Sequence, residues 1–144
     1  MARHRTAEHA YLNLVAGDVL RENGYQVDLF PDPIQVGDRR VQPDILATRE
    51  GSTIIVECER HTRKRKDQRA RKWNGLVGAS QALTGKKELY VMTPNTEAKN
   101  AIVSELSRWR GEWKDTSRGV GVHVSSAYEV LVQGKGLWSY ERKL

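Results

Sequence analysis

The stretch VQPDILATREGSTIIVECER, residues 41–60, decides the fold. Residues 53–58 read as a buried strand, yet Glu57 and Glu59 interrupt it near its end. Asp44 stands directly after Pro43 at the head of the preceding apolar run. Glu50-Gly51 separates the two runs. Glycine tolerates positive φ, so a tight two-residue hairpin is expected there. With that turn Arg49 pairs with Ser52, Leu46 with Ile55 and Asp44 with Glu57. Directly opposed residues share a face, with Cβ atoms about 4.5–5.5 Å apart. Side chains alternate along a strand, so Ile55, Glu57 and Glu59 share one face while Ile54, Val56 and Cys58 point to the core on the other. Asp44, Glu57 and Glu59 therefore gather at one end of a sheet, where like charges call for a positive neighbour.

The surrounding elements follow from periodicity. Residues 6–23 predict a helix, with Leu12, Val15, Ala16, Val19 and Leu20 at helical spacing and Asn23-Gly24 as the stop. Glu8, four residues before Leu12, belongs to that apolar face. Residues 25–30 read as a first strand, and PDPIQVGDRR (31–40) as an irregular loop punctuated by Pro31, Pro33 and Gly37. The second and third strands are residues 44–49 and 52–59. A second helix covers residues 64–84, ends at Gly85 and carries Ala70, Trp73, Leu76, Val77 and Leu83 on its apolar face. A fourth strand spans 87–93. A third helix follows, opened at Thr93-Pro94 or capped by Asn95, with Ala98, Ile102, Leu106, Trp109 and Trp113 as its stripe. A fifth strand at 119–125 and a short helix at 127–133 precede the tail GKGLWSYERKL, whose Leu137, Trp138 and Tyr140 supply contacts or cap the core. The order is that of a mixed α/β layer structure.

The chain has 144 residues, of which 38% are hydrophobic, enough for one domain over residues 1–144. No apolar run approaches the roughly 20 residues that cross a bilayer, so no membrane association is expected. MARHRTAEHA has no apolar segment behind it of the kind a signal peptide needs. The lone Cys58 excludes an internal disulfide and fits a cytoplasmic setting. A formal net charge of +6 leaves open a polyanionic partner or a solvated basic surface without one.

Two answers compete for the clustered acids. Arg39, Arg40, Arg60 or Arg63 neutralise them in a surface network, or a divalent cation does. Mg²⁺ takes one or two carboxylates plus waters and phosphate oxygens, a set that Asp44 and Glu57 offer. His4, His9, His61 and His123 are scattered, with no spacing that indicates zinc. The segment RHTRKRKDQRARKW (60–73) tilts the choice. Arg60, Arg63, Lys64, Arg65, Lys66, Arg69, Arg71 and Lys72 form a dense electrostatic footprint for phosphates, directly after Glu59. A metal-holding acid pair beside a phosphate-holding helix implies phosphodiester chemistry.

With Pro43-Asp44, Glu57-Cys58-Glu59 and this element order, residues 6–93 resemble the PD-(D/E)XK nuclease superfamily. The resemblance implies a restriction-endonuclease-like αβββαβ core, a central mixed sheet flanked by helices, followed here by a helix/strand extension. It implies a Mg²⁺-dependent DNA endonuclease, with Mn²⁺ able to substitute, acting as a homodimer. Asp44, Glu57 and the Cys58 carbonyl would hold the metal. Glu8 matches the additional acid of the junction-resolvase branch, which makes junction resolution the narrower expectation. Gln68 resembles a glutamine that exonuclease-like members carry after the third strand. Glu59 stands where lysine is usual and would handle the attacking water, with the missing positive charge supplied by Lys64, Lys66 or Lys72. Arg60, Arg63, Lys64, Arg65, Lys66, Arg69 and Lys72 would contact DNA. The VECERHT run also resembles plasmid replication-relaxation proteins, which keeps a non-cleaving DNA-binding accessory factor as the alternative.

Overall fold

A computed structural model describes residues 6–60, 66–83, 85, 87–113, 119–134 and 142–143. In chain order the elements are α1 (Ala7–Glu22), β1 (Gln26–Leu29), β2 (Ile34–Val36), β3 (Arg39–Val41), β4 (Ile45–Arg49), β5 (Ser52–Cys58), α2 (Lys66–Ala82), β6 (Glu88–Thr93), α3 (Thr96–Glu112), β7 (Gly121–Ser126), a π-helical turn (Tyr128–Val132) and β8 (Arg142–Lys143). Six strands form one mixed sheet in the order β1-β4-β5-β6-β7-β8. β1, β4 and β5 run antiparallel, β5, β6 and β7 parallel, and β8 antiparallel at the edge. This is the expected α/β arrangement of a mixed sheet with helices on its faces.

The hairpin at the centre has the expected register: Arg49 lies opposite Ser52 and Leu46 opposite Ile55. Glu50 (φ 54°) and Gly51 (φ 77°) both adopt left-handed backbone, the pair of conformations that matches the twist of the flanking strands in a two-residue turn. β5 is buried on both faces, as a central strand must be. Ile54, Val56 and Cys58 pack with Leu12, Ala16 and Leu20 of α1. Ile55 packs on the opposite side with Trp73, Leu76 and Val77 of α2 and Ile102 and Leu106 of α3. Three layers result, with α1 below the sheet and α2 and α3 above it.

Caps set the helix ends. Thr6 accepts from His9 N at 3.1 Å, and Asn95, of the two candidate starts, accepts from Ala98 N at 2.8 Å. Among the described residues no helix is long and apolar enough to cross a membrane. Residues 127–133, expected as a short helix, contain the π-helical turn. Of the tail, Leu137, Trp138 and Tyr140 lie outside the described residues.

The expected irregular loop at 31–40 needs correction. Ile34–Val36 and Arg39–Val41 pair as a second, two-stranded sheet, with Gly37-Asp38 as its turn. The prolines lie outside its ladder, so they flank the hairpin rather than break it. Its apolar residues dock on α2 where two glycines leave room. A Cβ on Gly78 would sit 2.7 Å from Val36 Cγ1, and one on Gly75 would sit 3.2 Å from Val41 Cγ2. Glycine inside a helix ordinarily costs about 1 kcal/mol against alanine. Here the close approach reverses the sign, because Val36 is β-branched and stiff. Gly78→Ala is expected to destabilise the protein by roughly 1–2 kcal/mol in urea unfolding. Stabilisation instead would mean that the hairpin does not rest on α2.

Candidate functional site

Just before β4 begins, Asp44 continues its ladder with a side chain. Asp44 Oδ2 accepts from Cys58 N at 2.9 Å, as a strand carbonyl would. Glu57 Oε1 in turn accepts from Asp44 N at 3.0 Å. The acids predicted to face each other thus meet at the sheet's end, both fully buried. Glu59 N donates to Met92 O at 2.8 Å, which carries β5 one residue further along β6. That brings Glu59, 5% exposed, into the same group.

The neutralising charges come from α2. Lys72 Nζ lies 3.1 Å from Glu57 Oε2 and bonds Glu59 Oε2 as well. Arg69 Nη1 donates to Glu59 Oε1 at 2.6 Å. Its Nε and Nη2 hold Glu105 of α3, at 3.0 and 2.8 Å, and the indole of Trp73 donates to the same carboxylate at 2.8 Å. Residues 69, 72, 73 and 76 share one helical face, so the two cations extend the buried stripe toward the start of α2. Arg69 is 3% exposed. Two of the expected DNA contacts, Arg69 and Lys72, are therefore inward-facing partners of the acids. Each oxygen of Glu59 is bonded by a cation of α2, Oε1 by Arg69 and Oε2 by Lys72.

The remaining basic residues divide. Arg60 is partly exposed and pairs with Glu8. Arg63, Lys64 and Arg65 lie outside the described residues, as does the side chain of Lys66. Gln68 is exposed one turn before Lys72 on the same side of α2. Arg39, weighed as a surface neutraliser, lies instead against Gly75.

Glu8 also needs correction. Its side chain is 57% exposed and bonds Arg60 at 3.0 Å, away from the other acids. His9, the next residue, occupies the expected place. His9 Nε2 sits 3.3 Å from Asp44 Oδ2 and 3.2 Å from Cys58 O. The buried side of α1 runs through Leu12, Asn13, Ala16, Gly17, Val19 and Leu20. Asn13 and Gly17 are polar or side-chain-free, so an apolar-only stripe is skewed toward Glu8. A buried Asn four residues after a His was the signal that sequence reasoning missed.

Electrostatics match this geometry. Burial pushes the Glu57 carboxyl up to about 8, with Asp44 and Glu59 adding to the rise and Lys72 opposing it. Burial alone would lower Lys72, but Glu57 and Glu59 hold it above its usual range, so it stays an ammonium. Arg69 is likewise raised by Glu105 and Glu59 against the effect of burial. Burial, reinforced by Asp44, pushes the Cys58 thiol well up, so its carbonyl and not its sulfur is the available donor.

Among the described residues no three His, Cys, Asp or Glu side chains already form a metal cage. The donor chemistry nonetheless fits a divalent cation: Asp44 Oδ2 and the Cys58 carbonyl lie 3.3 and 3.2 Å from His9 Nε2, and Glu57 Oε1 accepts from Asp44 N. Glu57 would have to turn from Asp44 N and Lys72 to join them.

No family model matches the chain, and no curated protein does. Among solved structures it is similar to AF1548, described as a protein of unknown function. The two share 14% identity at a TM-score of 0.50, over 87% of this chain and 60% of that one. That likeness is one of fold, and this chain spans less than two thirds of the AF1548 chain.

The raised Glu57 sets a pH dependence. Between its ordinary value of 4.5 and about 8 the native state holds a proton that the unfolded state has released. Stability is then greatest below that window and falls as pH rises through it. In chelator, thermal unfolding should show wild type losing stability relative to Glu57→Gln from about pH 5 to 8, by on the order of a few kcal/mol. Parallel pH profiles would contradict the assignment.

Proposed function

We propose that this protein is a divalent-metal-dependent endonuclease that hydrolyses phosphodiester bonds of DNA, with the restriction-endonuclease-like arrangement of its site. The observation that carries the reading is the meeting of Asp44 and Glu57 at the end of β5, with the Lys72 ammonium against Glu57. Asp44, Glu57 and the Cys58 carbonyl would hold the metal. Bound there, it would polarise a phosphate oxygen and lower the pKa of a bound water.

The chain's own residues supply the rest. Lys72 replaces, from α2, the positive charge that Glu59 does not provide from the strand. A fixed ammonium beside the phosphate stabilises charge that develops in the transition state, without reorganisation. Glu59, itself bonded by Arg69, and Glu57 hold Lys72 in position, so Glu59 is assigned a supporting role here. Gln68, exposed one turn earlier, and the partly exposed Arg60 would meet the DNA backbone. The junction-resolving expectation leaned on Glu8 within the site. With Glu8 paired to Arg60 at the surface, the proposal stops at DNA cleavage.

One observation favours the second reading, a DNA-binding accessory protein without cleavage. Lys72 and Arg69 already occupy Glu57 and Glu59 with protein partners, as a structural network does.

Cleavage of duplex, flap and four-way-junction DNA in Mg²⁺ or Mn²⁺ separates the two. The nuclease reading expects wild-type cutting that Glu57→Gln abolishes while DNA binding survives. It expects Lys72→Met to lose roughly 100-fold or more in cleavage rate. Wild-type binding with no cutting of any of these substrates gives the accessory reading.

A further inference from the structure

At the far end of the sheet from the acids, on the α1 side, lies an open cleft of about 260 Å³. Its walls include Tyr25, Arg49, Ser52, Ile54, Glu88 and Tyr90. We propose that this cleft binds a guanine base, from a free nucleotide or from an unstacked position in a nucleic acid strand. The inference stands apart from the metal-dependent reading. The seven-residue β5 begins at Ser52 in the cleft and ends at Cys58 beside Asp44, so about 20 Å separate the two places.

Strand pairing builds the cleft. Arg49 lies opposite Ser52, and the parallel register that sets Ile55 beside Leu89 brings Glu88 alongside Ile54. Ser52 and Ile54 of β5 thus form a floor between Arg49 of β4 and Glu88 of β6, two strand spacings or about 10 Å apart. Both sides are held. The Arg49 guanidinium lies 4.3 Å from the centre of the Tyr25 ring, and its Nη1 donates to Asn23 O at 2.9 Å. Tyr90 donates its hydroxyl to Glu88 Oε2 at 2.8 Å, and its ring stacks on the buried His123, centroids 4.5 Å apart. The Glu88 side chain is only 18% exposed, and among the described residues its ionic neighbour is His123 at 3.5 Å rather than a Lys or Arg.

These groups define the ligand. An ionised carboxylate only accepts, so Glu88 calls for a donor edge, and its two oxygens keep capacity beyond the Tyr90 hydroxyl. Nucleobases stack on tyrosine rings and on guanidinium planes alike, which suits the Arg49–Tyr25 wall. The fixed charge of Arg49 opposes a cation in the same cleft. A neutral flat ring with two adjacent donors remains. Guanine presents N1–H and its N2 amine side by side, a match for the two oxygens of one carboxylate. Adenine and cytosine set an acceptor beside their amine, and thymine and uracil flank a single N–H with carbonyls. The volume falls just below the roughly 300 Å³ at which drug-sized pockets begin, so it suits one base, with its sugar and phosphate leaving through the open mouth.

The test is calorimetric titration of the full chain with GMP, IMP and AMP, in EDTA so that no metal-held phosphate contributes. Wild type is expected to bind GMP at least about tenfold tighter than AMP, with IMP, which lacks the N2 amine, between them. Glu88→Gln keeps the shape but replaces one acceptor by a donor, and should cost GMP about tenfold or more and erase the preference. Arg49→Met should weaken all three by about fivefold or more, because it removes the stacking plane and not the donor reading. Unchanged thermal unfolding of the variants separates contact from folding, and the GMP/IMP comparison on wild type needs no variant. Single-stranded pentanucleotides with and without a central guanine distinguish the sources. Binding of GMP assigns the cleft to free nucleotides. Binding of the guanine-containing strand alone, lost in Glu88→Gln, assigns it to nucleic acid, and both results support the guanine site. Equal affinities for GMP and AMP, GMP binding unchanged in Glu88→Gln, or no guanine-bearing probe bound at millimolar concentration would overturn it. None of these results bears on cleavage at Asp44 and Glu57.

Discussion

A single ammonium group, that of Lys72, sits between Glu57 and Glu59 at the end of the central strand. Buried carboxylates are tolerable only with a partner close by, since desolvation of an unpaired charge costs several kcal/mol. The chain answers with an alternating series in which Glu57, Lys72, Glu59, Arg69 and Glu105 each touch the next. The Trp73 indole closes it by donating to Glu105. The series links strand β5 to α2 and α2 to α3. It ties the packing of the upper layer to the chemistry at the sheet's end, so the site's charges cannot shift independently of the core.

The opposite layer contributes through His9. α1 lies below the sheet and α2 above it, yet both send a polar side chain to the same end of β4 and β5. His9 meets Asp44 and the Cys58 carbonyl from below, and Lys72 meets Glu57 from above. Between them the two acids are bound to the backbone of each other's strand. Polar side chains sent from two layers to one sheet end are held in place by the packing of both. It also explains why the hairpin register matters so much. A slip of one residue between β4 and β5 would turn Glu57 into the α1 layer and leave Lys72 facing an aliphatic side chain.

Much of this was legible in residues 41–60. Glu50-Gly51 dictates a two-residue turn, and a two-residue turn dictates which residues oppose each other. From there, the convergence of Asp44 and Glu57 and the division of Ile55 from Ile54 and Val56 follow from the two-residue period of a strand. The helices were legible because α2 and α3 carry broad apolar stripes. The second hairpin was hidden, since Pro31, Pro33 and Gly37 read as breaks and its short strands have too few residues for a periodic signal. Glycines 75 and 78 make sense only once Val36 and Val41 are seen against them.

The chain's own order of residues determined the sheet register, the cluster of acids and the density of cations that follows it, because each depends on contacts a few residues apart or on the parity of one turn. Tertiary structure alone decided which cations face inward and which helix residue reaches the acids. Arg69 and Lys72 belong to the same basic run as Arg71, and only the docking of α2 on β5 separates the buried Arg69 and half-buried Lys72 from the exposed Arg71. Glu8 and His9 differ by about 100° around α1, and the rotation that selects His9 is set by Asn13 and Gly17 packing into the core, a choice that hydrophobic periodicity does not encode.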